Sequence, residues 1–223
     1  MSDVAIAAVY VGGPRPLGDP VLGLVSGIAK TVVDPGTTLG LTDLNLDGDD
    51  QADRTVHGGL DKAVYAYPTE HRTVWATDLD QPDLADADPA VAPFGENIAT
   101  VGPTEEMVRI GDRWAWGSAV LEVCQPRWPC QKLTVHRAHA RVGPLMRTTG
   151  RTGWYLRVVT PGVVPTAGPI TLAEPHPAGV TVADAHRAML DRAVADPGLV
   201  ERVAALGPVL ADEWRLPLLD RLA

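Results

Sequence analysis

One cysteine of this chain follows directly on a rigid turn, in Gln125-Pro126-Arg127-Trp128-Pro129-Cys130-Gln131-Lys132. A thiol reacts, or ligates a metal, as its thiolate, and the cations Arg127 and Lys132 on either side both favour the ionised form. Proline is common at a first helical position, so a helix opened by Pro129 would set Cys130 at the positive end of its dipole. A second reading of the same stretch, a buried cysteine acting as a small hydrophobe, stays open. Cys124 has no adjoining cation or helix start and is expected in the core. The two cysteines are spaced C-x5-C without a second pair, which argues against a structural zinc site.

Charge around this cysteine is lopsided. The chain carries a formal net charge of -9, yet between Glu122 and Glu174 there is no acid, and seven cations fall there: Arg127, Lys132, Arg137, Arg141, Arg147, Arg151 and Arg157. That points to an anion site, or to a basic face turned toward the acidic remainder of the molecule. A second anion cradle is expected around Arg54-Thr55-Val56-His57-Gly58-Gly59-Leu60-Asp61-Lys62. Gly58 and Gly59 permit a tight turn with exposed N–H groups, and Arg54 and Lys62 add positive charge. His57 serves either the site or the turn itself as a hydrogen-bonded structural histidine. Asn97, beside Gly95, could offer its amide to a ligand or cap a turn. The run Asp43-Leu44-Asn45-Leu46-Asp47-Gly48 imitates the start of a calcium loop, but the closing twelfth position is Arg54, so an acidic turn is expected instead.

At 223 residues and 45% hydrophobic content the chain can bury a large core. No apolar run approaches the ~20 residues of a membrane span, and the N-terminus has no signal-peptide pattern. Net acidity disfavours nucleic acid and anionic membrane surfaces, and two cysteines without a disulfide framework make a reducing cytoplasm the expected setting.

The elements that must position these residues read as mainly β. Residues 4–11, 23–33 and 38–46 are expected strands, followed by 63–67, 94–102, 107–111, 112–123, 150–159 and 163–172. Helix is expected at 68–79, 132–141 and 144–149, and the acidic Pro/Ala-rich tract 80–93 is expected to be a surface loop. Many short strands punctuated by Gly and Pro point to a β-barrel rather than a βαβ sheet. From residue 179 the period changes to 3.6, marked by Val182, Ala185, Met189 and Val194, then Leu199, Val203 and Leu206, then Leu210, Trp214 and Leu218. The expected organisation is a barrel domain over 1–175 and a three-helix domain over 179–223. About 40 residues in three short helices bury little alone, so this tail should dock on the barrel or on another subunit, which leaves a homodimer open.

Taken together, Val56-His57-Gly58-Gly59, Asp61-Lys62-Ala63-Val64, Gly95-Glu96-Asn97, Ile110-Gly111-Asp112, Gln125-Pro126-Arg127 with Pro129-Cys130, and Gly150-Arg151-Thr152-Gly153-Trp154-Tyr155-Leu156-Arg157 resemble a MOSC domain, most closely of the bacterial YiiM type. The resemblance implies a β-barrel that binds the molybdenum cofactor (molybdopterin), with the Cys130 thiolate as molybdenum ligand. It implies reduction of N-hydroxylated compounds, hydroxylaminopurine-type base analogues among them, with electrons from a flavoprotein. Carried onto this sequence, Arg54, His57, Gly58, Gly59, Lys62, Asn97 and Arg127 would surround the cofactor, joined by Arg151, Trp154 and Arg157 from the later motif, with His57 as proton donor. The competing reading is a carrier module holding a persulfide on Cys130, without turnover of its own. Trp128 stands where the type often has a smaller residue, at the expected substrate mouth.

Overall fold

In the computed structural model, residues 3–53, 58–86, 90–190 and 197–223 are described. Seven strands close into a barrel: β1 (Val4–Val11), β2 (Val64–Pro68), β3 (Ile98–Val101), β4 (Arg113–Trp116), β5 (Ala119–Pro126), β6 (Trp154–Thr160) and β7 (Pro169–Glu174). Their order around the ring is β1-β3-β2-β6-β5-β4-β7, and β7 returns to β1 with Val4 opposite Ile170. Only β2 and β3 run parallel in this ring, with Ala66 opposite Ile98. A parallel pair needs a long crossover, and residues 69–97 supply it, carrying α1 (Arg72–Asp78).

Strand β2 shows why the barrel needs an outer layer. All five of its residues are buried. Its side chains alternate with the strand period of two: Val64 and Ala66 join the barrel core, whereas Tyr65 and Tyr67 join a second apolar cluster outside the barrel. That cluster includes Trp75 of the crossover, Phe94, and Leu133 and Met146 from α2 (Gln131–His136) and α3 (Val142–Thr149). Tyr67 stacks on Phe94 with ring centroids 4.4 Å apart. Inside the ring, Trp114, Leu121, Trp154, Leu156 and Ile170 face one small void.

Several expected elements are shorter than their patterns or are replaced by turns. The expected strand 23–33 breaks into Val25–Ser26 and Thr31–Val32, because the intervening loop turns into the site described below. Of 38–46 only Thr38–Leu41 is extended; it pairs with Gly162–Pro165, and the Asp47 carboxylate accepts the Gly40 N–H at 2.9 Å. The segment 107–111 is a turn, held by Asp112, whose carboxylate accepts the N–H groups of Arg109 and His176. The tract 80–93 is anchored: Leu84 and Ala92 are buried, and Pro82–Ala85 forms a short 3₁₀ turn.

The closing helices are α4 (Val182–Leu190), α5 (Pro197–Ala204) and α6 (Asp212–Leu222). Thr181 and Asp184 hold the start of α4 by reciprocal side-chain to backbone bonds of 3.0 Å each, a capping box. The three helices dock on the barrel and share its apolar cluster: Val182, Val203, Trp214 and Leu218 lie in one cluster with Val108, Ile110 and Val123. Polar ties reinforce the docking. The Ala211 N–H donates to the Cys124 carbonyl at 3.1 Å, and Arg157 Nη1 donates to the Pro208 carbonyl at 3.0 Å. Trp214 is fully buried in this seam, so Trp214→Ala is expected to lower stability by about 3–5 kcal/mol, the range for removing a buried aromatic side chain. Equilibrium denaturation monitored by circular dichroism measures it.

Candidate functional site

Cys130 stands at the cap of α2, in extended conformation with φ −121° and ψ 165°, and is partly exposed. Pro129 therefore lies outside the helix rather than at its first position. The local reason is the Pro-Arg-Trp-Pro turn, which ends β5 and starts α2 within a few residues, so the sulfur is delivered to the mouth of the barrel. There it lines a cavity of about 530 Å³ together with Lys30, Lys62, Tyr65, Asn97, Arg127, Lys132 and Tyr155. Residues 26–28 and 50–52 complete the wall.

The cavity is basic. Among the described residues, Lys30, Lys62, Arg127 and Lys132 line it, against the single acid Asp50. Lys30 is buried beside Asp49, with which it forms an ion pair, and Asp49 also accepts the Gly12 N–H at 3.1 Å. Burial lowers the Lys30 pKa, and Asp49 opposes that effect. Lys62 pairs with Glu213 of α6 at 2.6 Å. Arg127 is 5% exposed and donates Nη1 to the Phe94 carbonyl, with its guanidinium 4.7 Å from the Tyr65 ring centroid. Burial would discharge it, but Tyr65, Tyr155 and Cys130 around it outweigh burial and hold its pKa above the ordinary guanidinium value. Burial likewise pushes the Tyr155 phenol up to about 12, so it stays a neutral donor at physiological pH. Among the described residues neither Arg127 nor Lys132 meets a carboxylate, so both are available to an anion.

The residues marked out in the sequence divide between this cavity and other places. Cys130, Lys62, Asn97 and Arg127 are brought together. Asn97 is engaged at both ends, its Oδ1 accepting the Tyr65 N–H at 3.0 Å and its Nδ2 donating to the Tyr10 carbonyl at 3.3 Å, so it ties three strands together at the rim. Gly59 opens the 3₁₀ turn Leu60–Lys62 with φ 92°, and that turn carries Lys62; Gly58 precedes it. Arg54 and His57 lie outside the described residues.

Three others do not line the cavity. Trp154 is barrel core, 1% exposed. Arg157 binds Asp61 at 2.8 Å and Glu122 at 3.2 Å on its way to Pro208. Arg151 binds Asp78 at 2.5 Å over the Trp75 ring and lines a separate cavity with His71, Glu105 and His186. Three cations of the acid-free stretch are thus answered by acids from elsewhere in the chain, the third being Arg137, which pairs with Asp83 at 3.0 Å. Cys124 is core as expected: it is fully buried, its thiol reaches the carbonyls of Asp61 and Tyr155, and burial pushes its pKa up.

Lys30, Tyr65 and Tyr155 were not marked out by the sequence pattern. A signal was present for Lys30 in Gly27, since glycine inside a strand pattern often marks a close backbone approach. A Cβ there would lie 2.2 Å from the Asp50 carbonyl oxygen, and only glycine lets the 26–30 loop close on residue 50 and turn Lys30 inward.

His136, at the end of α2, braces the same wall: its Nε2 lies 2.9 Å from the Ala92 carbonyl and acts as donor. Burial lowers its pKa from 6.5. The unfolded chain therefore binds more protons than the folded one just below pH 6.5, so this stabilisation is present above that pH and lost as pH falls through the folded value. The drop in melting temperature between about pH 7 and about pH 5 is expected to be smaller in His136→Gln than in wild type, measured by differential scanning fluorimetry.

A family model described as the MOSC domain matches residues 53–171. Protein YiiM of Escherichia coli is 44% identical over 163 residues, which span 73% of this chain and 70% of that protein. Its crystal structure aligns with a TM-score of 0.74 at 32% identity, covering 99% of this chain and 92% of that one. The crystal structure of YiiM from Geobacillus stearothermophilus aligns with a TM-score of 0.77 at 27% identity, covering 99% and 100%. A protein named Reductase from Gibberella moniliformis is 38% identical over 133 residues, 58% of this chain and 23% of that protein.

Proposed function

Because this chain belongs to the MOSC domain family, and within it to the YiiM type, we propose that it binds the molybdenum cofactor and reduces N-hydroxylated substrates, hydroxylaminopurine-type bases among them. The observation that carries this reading is the sharing of one cavity by the Cys130 thiol and four cations, two of which meet no carboxylate among the described residues. The donor set fits the group: a phosphate-bearing cofactor calls for cations, and a metal already bound by sulfur suits a soft thiolate. A relative named Reductase, matched over 23% of its length, supports the oxidoreductase class.

In this reading Cys130 is the metal ligand, and Lys30, Lys62, Arg127 and Lys132 bind the anionic parts of the cofactor. The cofactor supplies the two-electron chemistry when bound. Arg127 serves as a fixed positive charge, since it cannot discharge in this setting and cannot swing away from the Phe94 carbonyl without losing a bond. Asn97 keeps the rim rigid, and Gly58 and Gly59 shape the turn that presents Lys62. Arg54 and His57 remain proposed cofactor residues on the neighbouring segment. His57 is the proposed carrier of one of the two protons needed to turn an N-hydroxylamine into an amine and water. Arg151, Trp154 and Arg157 are assigned a supporting part, holding the strand that brings Tyr155 to the cavity. The electron donor is proposed to be a flavoprotein.

Two measurements test the reading. Protein made in a host that synthesises the cofactor is expected to carry molybdenum near one equivalent by elemental analysis, and Cys130→Ser is expected to lose reduction of a hydroxylaminopurine while keeping the wild-type melting temperature. A persulfide on Cys130 by mass spectrometry, together with no metal, would replace the reductase with a sulfur carrier.

A further inference from the structure

The sulfur lies at a boundary between two spaces of different chemistry. On one side is the basic cavity. On the other is a recess, open to solvent, lined by Gln125, Trp128, Glu213 and Pro126, and the two spaces share Lys62, Arg127, Cys130 and Tyr155. The recess has aromatic rings in Trp128 and Tyr155, an amide in Gln125, and one carboxylate in Glu213. Its outer wall is α6, which the docked helices bring to the barrel mouth: Trp214 meets Trp128 edge-on at 5.5 Å, and Glu213 reaches Lys62 at 2.6 Å.

Gln125 adds a second observation. Its side chain is 1% exposed and Nε2 donates to the Asp61 carbonyl at 3.1 Å, which fixes the amide orientation. Among the described residues its Oε1 has no hydrogen-bond partner. A buried acceptor left unmade is costly, and such groups in functional sites commonly find their donor in a ligand.

We infer that this recess is the substrate subsite and that Glu213, on the C-terminal helix, is its specificity residue, accepting a hydrogen bond from the ring or exocyclic N–H of a planar N-hydroxylated nitrogen heterocycle. The inference rests on the reductase reading above and extends it to the helical unit. A metal ligand at the boundary needs its cofactor on one side and its substrate on the other. Cations suit the first task. The shared Lys62 and Arg127 belong to the first task; what the recess adds, flat rings and acceptor oxygens, suits the second, because these match a planar, uncharged, N–H-bearing molecule. The pairing with Lys62 orients the Glu213 carboxylate across the mouth, so one oxygen can stay on the lysine while the other meets the substrate.

The test compares wild type with Glu213→Ala and Glu213→Gln, each loaded with cofactor, on a planar N-hydroxylated heteroaromatic amine and on hydroxylamine itself, which has no ring to place. The ratio of kcat/KM for the ring substrate over hydroxylamine is expected to fall about tenfold or more in Glu213→Ala, and less in Glu213→Gln, which keeps an acceptor oxygen. A second readout needs no cofactor. The parent heteroaromatic amine is expected to quench tryptophan fluorescence of cofactor-free protein saturably, with a Kd about tenfold weaker in Glu213→Ala. An unchanged ratio, or wild-type quenching that does not saturate, overturns the subsite. If wild type reduces neither compound, the reductase reading fails instead, and the quenching titration then judges the recess alone.

Discussion

A guanidinium held in the mouth of the barrel is the constraint on which the rest of the site depends. Arg127 is almost fully buried and stays charged, so its surroundings must do the work of water. The Phe94 carbonyl and the Tyr65 face do so, and each belongs to a different element. Phe94 is delivered by the crossover that the parallel β2–β3 pair requires, and Tyr65 by the outward side of β2. Removing either would leave the charge unsolvated. The stacked Tyr67–Phe94 pair is therefore part of the electrostatics as well as of the packing, because it fixes where the Phe94 carbonyl lies.

Much of this was legible in the sequence, for a physical reason. Strand alternation, the late switch to helical spacing and the glycine-bounded motifs are local signals, and the barrel with its three closing helices follows them. So does the meeting of Cys130, Arg127, Lys62 and Asn97, each of which sits at the end of a strand or on a tight turn beside one. Charge balance was less legible. A count along the chain makes residues 127–157 a basic block, but folding sets Asp61, Asp78, Asp83 and Glu122 against three of its arginines, Arg137, Arg151 and Arg157. Proximity in sequence reports on charge only until long-range contacts form, and in a closed barrel most neighbours are long-range.

Lys30 and Glu213 were hidden for the same reason in a sharper form. Neither stands in a motif, and each reaches the site from a segment whose local pattern belongs to something else: Lys30 from a β-rich run, Glu213 from an amphipathic helix whose apolar stripe reads as core. Periodicity identified the buried face of α6 through Trp214 and Leu218, and Glu213 is merely the neighbour of a core residue. What gives it a place beside the sulfur is the angle at which α6 docks, and that angle is set by the Trp214 seam and by the Arg157 and Ala211 ties.

The pairing that closes the ring bears on how the molecule is made. Strand β1 finds one neighbour in β3; on its other edge Tyr10 and Val11 meet Thr31–Val32 early in the chain, but Val4 and Ala5 wait for β7, more than 150 residues further along, and the sulfur's recess waits longer still for α6. While the chain leaves the ribosome N-terminus first, the start of β1 must spend most of synthesis with an open edge. Among the described residues, the basic cavity draws no lining residue from α6, so it is the recess, completed by Glu213, that waits for that helix to dock. Chain order thus separates the two spaces: every described lining residue of the basic cavity has been synthesised by Tyr155, and the recess is complete only with Glu213.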